Sequence, residues 1–142
     1  MKQKFLSAAL TIFTLFIISC THAGKENVIS GKWSFETLDG NYAELWIDNN
    51  SLLTVRNPSK RPFVFDYHQS GDTIILYQYG QRNEAQFEVD RFVIRGQSAE
   101  ELEIRQDTVN NNLTRITAEV ANIENTEDYK KSVLTEFEKR IK

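Results

Sequence analysis

Short segments with alternating hydrophobic and polar residues recur along the chain from residue 31 onward. In the first of them, Trp33 and Phe35 alternate with polar residues, a period of two that is typical of strands with one buried face. Turn-forming residues separate the segments, so the pattern predicts a mainly β domain of antiparallel strands. The eight predicted strands are Gly31–Leu38, Tyr42–Asp48, Leu52–Arg56, Phe63–Tyr67, Thr73–Tyr79, Ala85–Ile94, Glu101–Gln106 and Leu113–Val120.

Local departures from alternation add detail to this prediction. The apolar register of the sixth segment shifts between Val89 and Phe92, which predicts a β-bulge or a bend. The segment Asn57–Pro62 contains both prolines of the chain and predicts a loop. The run Asn110–Asn112 precedes the eighth predicted strand and separates it from the seventh.

The hydrophobic period changes to about four residues near the C-terminus, which predicts an amphipathic α-helix. Thr126 is suited to cap this helix, and the acidic Glu127 and Asp128 suit its first turn. The apolar stripe either packs on the domain or contacts a membrane surface or a partner, and the sequence leaves both open. The stripe consists of Tyr129, Val133, Leu134, Phe137 and Ile141.

The N-terminal stretch has a different pattern, with an uncharged run over Phe5–Ile18 behind Lys2 and Lys4. This run is short for a transmembrane helix, which needs about 20 apolar residues, and it fits the apolar part of a signal peptide. The sequence Ile-Ile-Ser-Cys that ends at Cys20 resembles the lipobox of bacterial lipoproteins. The resemblance implies cleavage before Cys20 and acylation of its sulfur and amino group. The alternative is an ordinary secreted protein with a chance cysteine at the cleavage point.

This resemblance predicts how the chain is organised and where it is located. Residues 1–19 would be a cleaved signal peptide, residues 20–29 a lipidated tether and residues 30–142 the domain. Two or three acyl chains at Cys20 would give durable membrane anchoring in a bacterial cell envelope. Thr21 after the cysteine indicates the outer rather than the inner membrane, with the periplasmic or surface side left open. Cys20 is the sole cysteine, so an internal disulfide is excluded.

The start of the first strand, Gly31-Lys32-Trp33, resembles the Gly-x-Trp motif of lipocalins. Over Ile29–Val120 the chain is similar to the small lipocalin-like lipoproteins of Gram-negative bacteria. The resemblance implies an antiparallel eight-stranded barrel with a C-terminal helix, in which Trp33 closes one end and Arg115 covers it. An Asp or Tyr of the family's mid-chain motif has no clear match, and an open sandwich of the same strands remains an alternative.

An eight-stranded barrel is wide enough either to fill with side chains or to hold one small ligand. Phe63, Phe65 and Tyr67 share one strand face, and Tyr77 and Tyr79 share one face of the next strand. If they point inward, these aromatic residues line a pocket for a small apolar or amphipathic ligand. If they form solid core, the protein is an interaction module, such as a hydrolase inhibitor or an envelope-complex accessory.

A second strand face carries Tyr42, Glu44 and Trp46, and we expect it to lie outside the barrel. It is either a contact patch for a partner or an aromatic pair on the surface. Asp-Thr-aliphatic sequences at Thr73 and Thr108 resemble the O-glycosylation acceptor of some bacteria, and both also read as turn-to-strand junctions.

Charge and residue types argue against several function classes. The chain has 17 basic and 20 acidic residues without a basic cluster, so we expect no nucleic-acid binding. Its only histidines are His22 and His68, and acylation of Cys20 would leave no thiol for a Cys/His zinc site. The sequence also contains no Gly-x-Ser-x-Gly nucleophile motif. Asp66 and His68 share a strand face, which is slender support for a catalytic site. We expect no enzyme activity and no cofactor.

Lipidation at Cys20 is directly testable in a bacterial host. We expect labelled palmitate to be incorporated into the wild-type protein and to be absent from the Cys20→Ala variant, since the acylated atoms belong to that residue. Gel fluorography of the two proteins measures this. Absence of label from the wild type, or its retention in the variant, would contradict the lipobox assignment.

Overall fold

The computed structural model describes residues 29–80, 87–119 and 122–141. Within these residues the chain forms a closed antiparallel barrel of eight strands and one C-terminal helix, which confirms the predicted lipocalin-like fold class. Cys20 and the rest of the predicted leader and tether before Ile29 lie outside the described residues. The elements are β1 (Gly31–Glu36), β2 (Tyr42–Ile47), β3 (Ser51–Arg56), β4 (Phe63–Ser70), β5 (Thr73–Gln78), β6 (Glu88–Gln97), β7 (Glu101–Gln106), β8 (Val109–Arg115) and α1 (Glu127–Arg140).

The barrel closes because β8 pairs with β1, while every other strand pairs with its neighbours in sequence. Trp33 lies opposite Arg115 and Ser34 opposite Thr114 in this closing ladder. Closure satisfies the backbone groups that the edge strands of an open sheet would expose. The strands therefore form a closed barrel and not the open sandwich that the sequence left as an alternative.

The eighth strand begins earlier than predicted, at Val109 instead of Leu113. The turn lies at Asp107 and Thr108, where Asp107 has a φ of 53°, a left-handed conformation that Asp tolerates. Three asparagines therefore lie in the strand, paired with β7, although Asn is depleted in strands. The pairing with β7 therefore outweighs the low strand propensity of asparagine at these positions.

The sixth strand is irregular at two positions. Its ladder with β5 pairs Asp90 with Leu76 and Glu88 with Tyr77, so Val89 has no partner in the register. This irregularity lies at the start of the interval in which the sequence predicts a bulge. A second one, at Arg95 in the ladder with β7, was not apparent from the sequence.

The inward-facing residues form an apolar core at one end of the barrel. Leu52, Ile74 and Leu113 are fully buried there. Tyr67 belongs to this core, and its hydroxyl donates a hydrogen bond to the carbonyl of Asp48 over 2.7 Å. This hydrogen bond satisfies the hydroxyl group, so the tyrosine can be buried without leaving a polar atom unpaired.

Helix α1 packs on the outer face of the barrel, and this confirms the first of the two interpretations of its apolar stripe. Thr126 Oγ1 accepts a hydrogen bond from the Tyr129 amide over 3.2 Å, as the predicted cap requires. The ring centroids of Tyr42 and Phe137 are 5.6 Å apart. The buried residues of this second cluster are Trp46, Leu53, Val55, Tyr129, Val133 and Phe137.

Glu44 lies at the centre of this interface, with its side chain fully buried. Its carboxylate accepts hydrogen bonds from Tyr42 Oη at 2.8 Å and Trp46 Nε1 at 2.9 Å. Arg140 donates two more, from Nε at 2.7 Å and Nη2 at 2.9 Å. Burial and, next, the hydrogen bond to Glu44 raise the pKa of Tyr42 to about 12.

The predicted outer face of β2 is therefore covered by the helix. Trp46 is only 1 % exposed, because α1 lies over it and Lys32 Nζ lies 4.9 Å from its ring centroid. Among the described residues, the surface that carries Tyr42 and Trp46 is the docking site of α1. It is not the exposed contact patch that the sequence analysis considered.

The buried pair predicts a large effect of removing one partner. We expect Arg140→Met to lower the free energy of unfolding by about 3–5 kcal/mol, because the buried carboxylate of Glu44 would lose its ion-pair partner. Urea denaturation measures this value, with the exposed Lys131→Met as control. A loss as small as that of the control would contradict the structural role of the pair. The double variant Glu44→Met/Arg140→Met should recover part of the loss, because it removes both charges but leaves the buried Trp46 Nε1 without its acceptor.

Candidate functional site

The two ends of the barrel differ in what fills them. The chain enters at the end where Ile29 and Trp33 lie, and both side chains are buried. We call this the closed end. The opposite, open end carries the last residues of β1, β3, β5 and β7 and the first residues of β2, β4, β6 and β8.

Trp33 and Arg115 come together at the closed end, as the lipocalin resemblance implies. The guanidinium carbon of Arg115 lies 4.2 Å from the centroid of the Trp33 ring, a cation–π contact. Trp33 Nε1 donates a hydrogen bond to the Ile29 carbonyl over 2.9 Å. Arg115 Nη1 donates to the Ser30 carbonyl over 3.4 Å, and its Nε donates to the carbonyl of Ala99. These contacts link the chain entry to β8.

Gly31 makes this arrangement possible. Its φ of 149° is a conformation that residues with a side chain rarely adopt. A Cβ at this position would overlap Nη1 of Arg115. The glycine in the Gly-x-Trp motif thus leaves room for the guanidinium that covers Trp33.

On four strands the inward side chain changes from apolar to polar toward the open end. Along β3 the inward residue changes from Leu52 to Thr54, and along β8 it changes from Leu113 to Asn111. The same change occurs on β6, from Phe92 to Asp90, and on β7, from Ile104 to Gln106. Burying polar side chains without hydrogen-bond partners is unfavourable, so these positions do not form a tightly packed apolar core.

An open cavity of about 520 Å³, which we call the cup, occupies this end of the barrel. Phe35, Phe63 and Val109 supply apolar surface, and Thr54 and Asn111 supply polar groups. The volume lies within the range of 300–1,000 Å³ that is usual for small-molecule sites. The cup can therefore hold a ligand with an apolar and a polar part.

Charged side chains at the cup are separated by sign. Arg56 and Arg61 lie on the β3–β4 side, and neither guanidinium has an ion-pair or hydrogen-bond partner among the described residues. Asp107 belongs to the β7–β8 connection, across the opening, and Asp39 belongs to the β1–β2 connection, between these two sides. Asp90 lies on the same side as Asp107, and its carboxylate accepts a hydrogen bond from Gln106. The polar groups of a ligand would meet cations on one side and carboxylates on the other.

The five aromatic residues predicted to line a pocket do not form one site. Phe63 lines the cup, Phe65 packs against the core, and Tyr67 is part of the core. Tyr77 and Tyr79 face outward, because Tyr77 lies opposite Asp66 while Tyr67 lies opposite the inward Leu76. Tyr77 and Tyr79 therefore do not meet the condition of pointing inward, since a strand alternates its faces.

Several residues of the cup were not among those predicted from the sequence. Phe35 shares a strand face with Trp33, so period-two alternation alone could have placed it inside. Thr54 and Asn111 carried no such signal, because polar residues in strands normally mark the outer face. Their inward orientation follows only from the register of β3 and β8.

Other candidate residues lie apart from the cup. Asp66 and His68 are on the outer face, where Asp66 accepts a hydrogen bond from the Gly80 amide over 2.8 Å and His68 is exposed. Thr73 is half-buried at the start of β5, and Thr108 is exposed in a turn. The described residues contain no cluster of three or more metal-ligating side chains, and none of their helices is long and apolar enough to cross a membrane.

No protein-family model, no curated protein and no solved structure matches the chain. A functional proposal for this protein therefore rests on its own residues and their geometry. Among the described residues, the cup is the concave site at which apolar and charged groups meet inside the barrel.

The contact between Gly31 and Arg115 predicts the effect of a substitution at the closed end. Gly71→Ala is a matched control, since Gly71 also has a positive φ and has open space around it. We expect Gly31→Ala to destabilise the protein by about 1–3 kcal/mol more than Gly71→Ala, because the new methyl group displaces the guanidinium and a φ of 149° is less accessible to Ala than the 59° of Gly71. Urea denaturation of both variants measures the difference. Equal losses would show that Arg115 is not held against Gly31.

Proposed function

We propose that this protein is a lipid-anchored module of the bacterial cell envelope that binds a small apolar or amphipathic ligand in the cup. The observation that carries the proposal is the composition of the inward positions at the open end. They leave a cavity of about 520 Å³ in a barrel whose other end is filled. The lipobox at Cys20 supports the location, and the cup supports the binding activity.

The chemistry of the cup indicates the shape of the ligand. Phe35, Phe63 and Val109 would contact its apolar part. Burial of apolar surface contributes about 25 cal/mol per Å², so contact between a hydrocarbon group and these residues would add to the affinity. Thr54, Asn111 and the rim arginines would contact its polar part and orient it. This combination favours an amphipathic ligand over a purely apolar one.

The filled closed end supports a second candidate function. Trp33, Leu52 and Tyr67 occupy the interior there, as the interaction-module alternative expects of the whole barrel. The open end, however, keeps a cavity. A barrel that only presents its surface to a partner does not need this cavity, so we place ligand binding first.

A substitution that fills the cup tests the proposal. We expect the wild-type protein to bind a naphthylamine dye with saturable fluorescence enhancement. Thr54→Trp should weaken this binding about tenfold or more, because the indole occupies the cavity. Thr114→Trp is the matched control, since Thr114 is exposed on the outer face of β8. Its affinity should equal that of the wild type.

Two outcomes would contradict ligand binding in the cup. One is the absence of saturable dye binding by the wild type. The other is equal affinity of the Thr54→Trp and Thr114→Trp variants, which would place the dye elsewhere on the surface. Either result would favour the interaction module.

A further inference from the structure

The exposed large hydrophobic side chains of the described residues all lie at the open end of the barrel. They are Leu38, Phe63, Tyr79, Phe87 and Val89. Phe87 is 66 % exposed and Phe63 is 51 % exposed. Clustered exposed apolar groups mark an interaction surface, whereas the same residues scattered singly would not.

Four of these side chains line one groove of about 390 Å³ beside the cup. The groove lies between the start of β4, the end of β5 and the start of β6, and Lys130 of α1 borders it. Phe63 lines both the groove and the cup. An apolar surface thus continues from the outside of the barrel into the proposed ligand site.

Basic residues adjoin this groove. The β3–β4 connection carries Lys60 and Arg61 directly before Pro62 and Phe63, which begin the groove. The carboxylate of Glu88, at the start of β6, also adjoins the groove and forms an ion pair with Arg91. Exposed aromatic residues beside lysine and arginine are the combination that contacts lipid at a membrane surface.

We propose that the open end of the barrel docks on a lipid bilayer, with the groove inserted among the lipids and the basic residues on anionic headgroups. The proposal rests on the proposed function and adds the source of the ligand. An amphipathic molecule would pass between the bilayer and the cup along Phe63, without crossing water.

The length of the predicted tether allows this orientation. The chain enters the barrel at the closed end, so an anchor at Cys20 must reach past the barrel for the open end to touch the same bilayer. Residues 20–28 can span at most about 30 Å. Strands of six to ten residues, tilted by about 40°, give a barrel height of roughly 15–25 Å. The tether is therefore long enough.

Vesicle sedimentation tests the proposal with a chain that begins at residue 20 and carries Cys20→Ser, which retains every described residue. We expect it to sediment with phosphatidylcholine vesicles that contain phosphatidylglycerol, and less with phosphatidylcholine alone. Tyr79→Asp/Phe87→Asp should weaken binding about tenfold or more, because charges replace inserted aromatic rings. The control Ser70→Asp adds a charge on β4 near the closed end and should leave binding unchanged.

Further variants separate this proposal from the proposed function. Tyr79 and Phe87 line the groove and not the cup, so dye binding should survive their substitution. Thr54→Trp should have the reverse effect, with dye binding lost and vesicle binding kept. Arg61→Gln should reduce the enhancement by phosphatidylglycerol, and it leaves the apolar residues in place.

Three results would overturn bilayer docking. The first is no sedimentation of the unsubstituted chain with either kind of vesicle. The second is equal sedimentation of the groove variant and the Ser70→Asp control. The third is self-association without vesicle binding, abolished by Tyr79→Asp/Phe87→Asp, which would assign the groove to a second copy of the chain.

Discussion

The arrangement of barrel and helix depends on the carboxylate of Glu44. A buried charge costs several kcal/mol unless donors surround it, and here Tyr42, Trp46 and Arg140 together supply four hydrogen bonds. Arg140 is the last residue of α1. If the helix slid by one turn, about 5.4 Å, apolar residues would still meet an apolar surface, but the guanidinium would leave the carboxylate. The apolar stripe thus supplies stability, and the ion pair determines the position of the helix along the barrel.

Much of this fold could be predicted because its signals are local. Alternation around Trp33 and the turn residues between segments indicated the strands, and the cap at Thr126 with a four-residue period indicated the helix. Two kinds of feature could not be predicted. Glu44 reads as an ordinary polar residue of an outer face, because its partner Arg140 is 96 residues away in sequence. The strand position of Asn110–Asn112 depends on a ladder with β7 that local preference opposes.

The candidate site was harder to predict than the fold, because its residues break the rule that identifies the fold. Alternation assigns apolar residues to the inside and polar residues to the outside. At the open end, Thr54 and Asn111 face inward while Tyr79 and Phe87 are exposed. Only the register between strands reveals this inversion. Positions where pattern and structure disagree are where a binding site is expected, since a stable core alone would not require them.

The closed and open ends divide the work of the barrel between stability and binding. Trp33, Arg115 and Gly31 join the chain entry to the last strand, so the contacts that close the barrel are concentrated at one end. The other end is free to carry polar inward groups and exposed aromatic rings, both of which reduce stability. On the proposal that Cys20 is lipidated, the tether would leave from the closed end and would not obstruct the opening. The proposed anchor and the cup could then act on the same membrane, because residues 20–28 can span more than the height of the barrel.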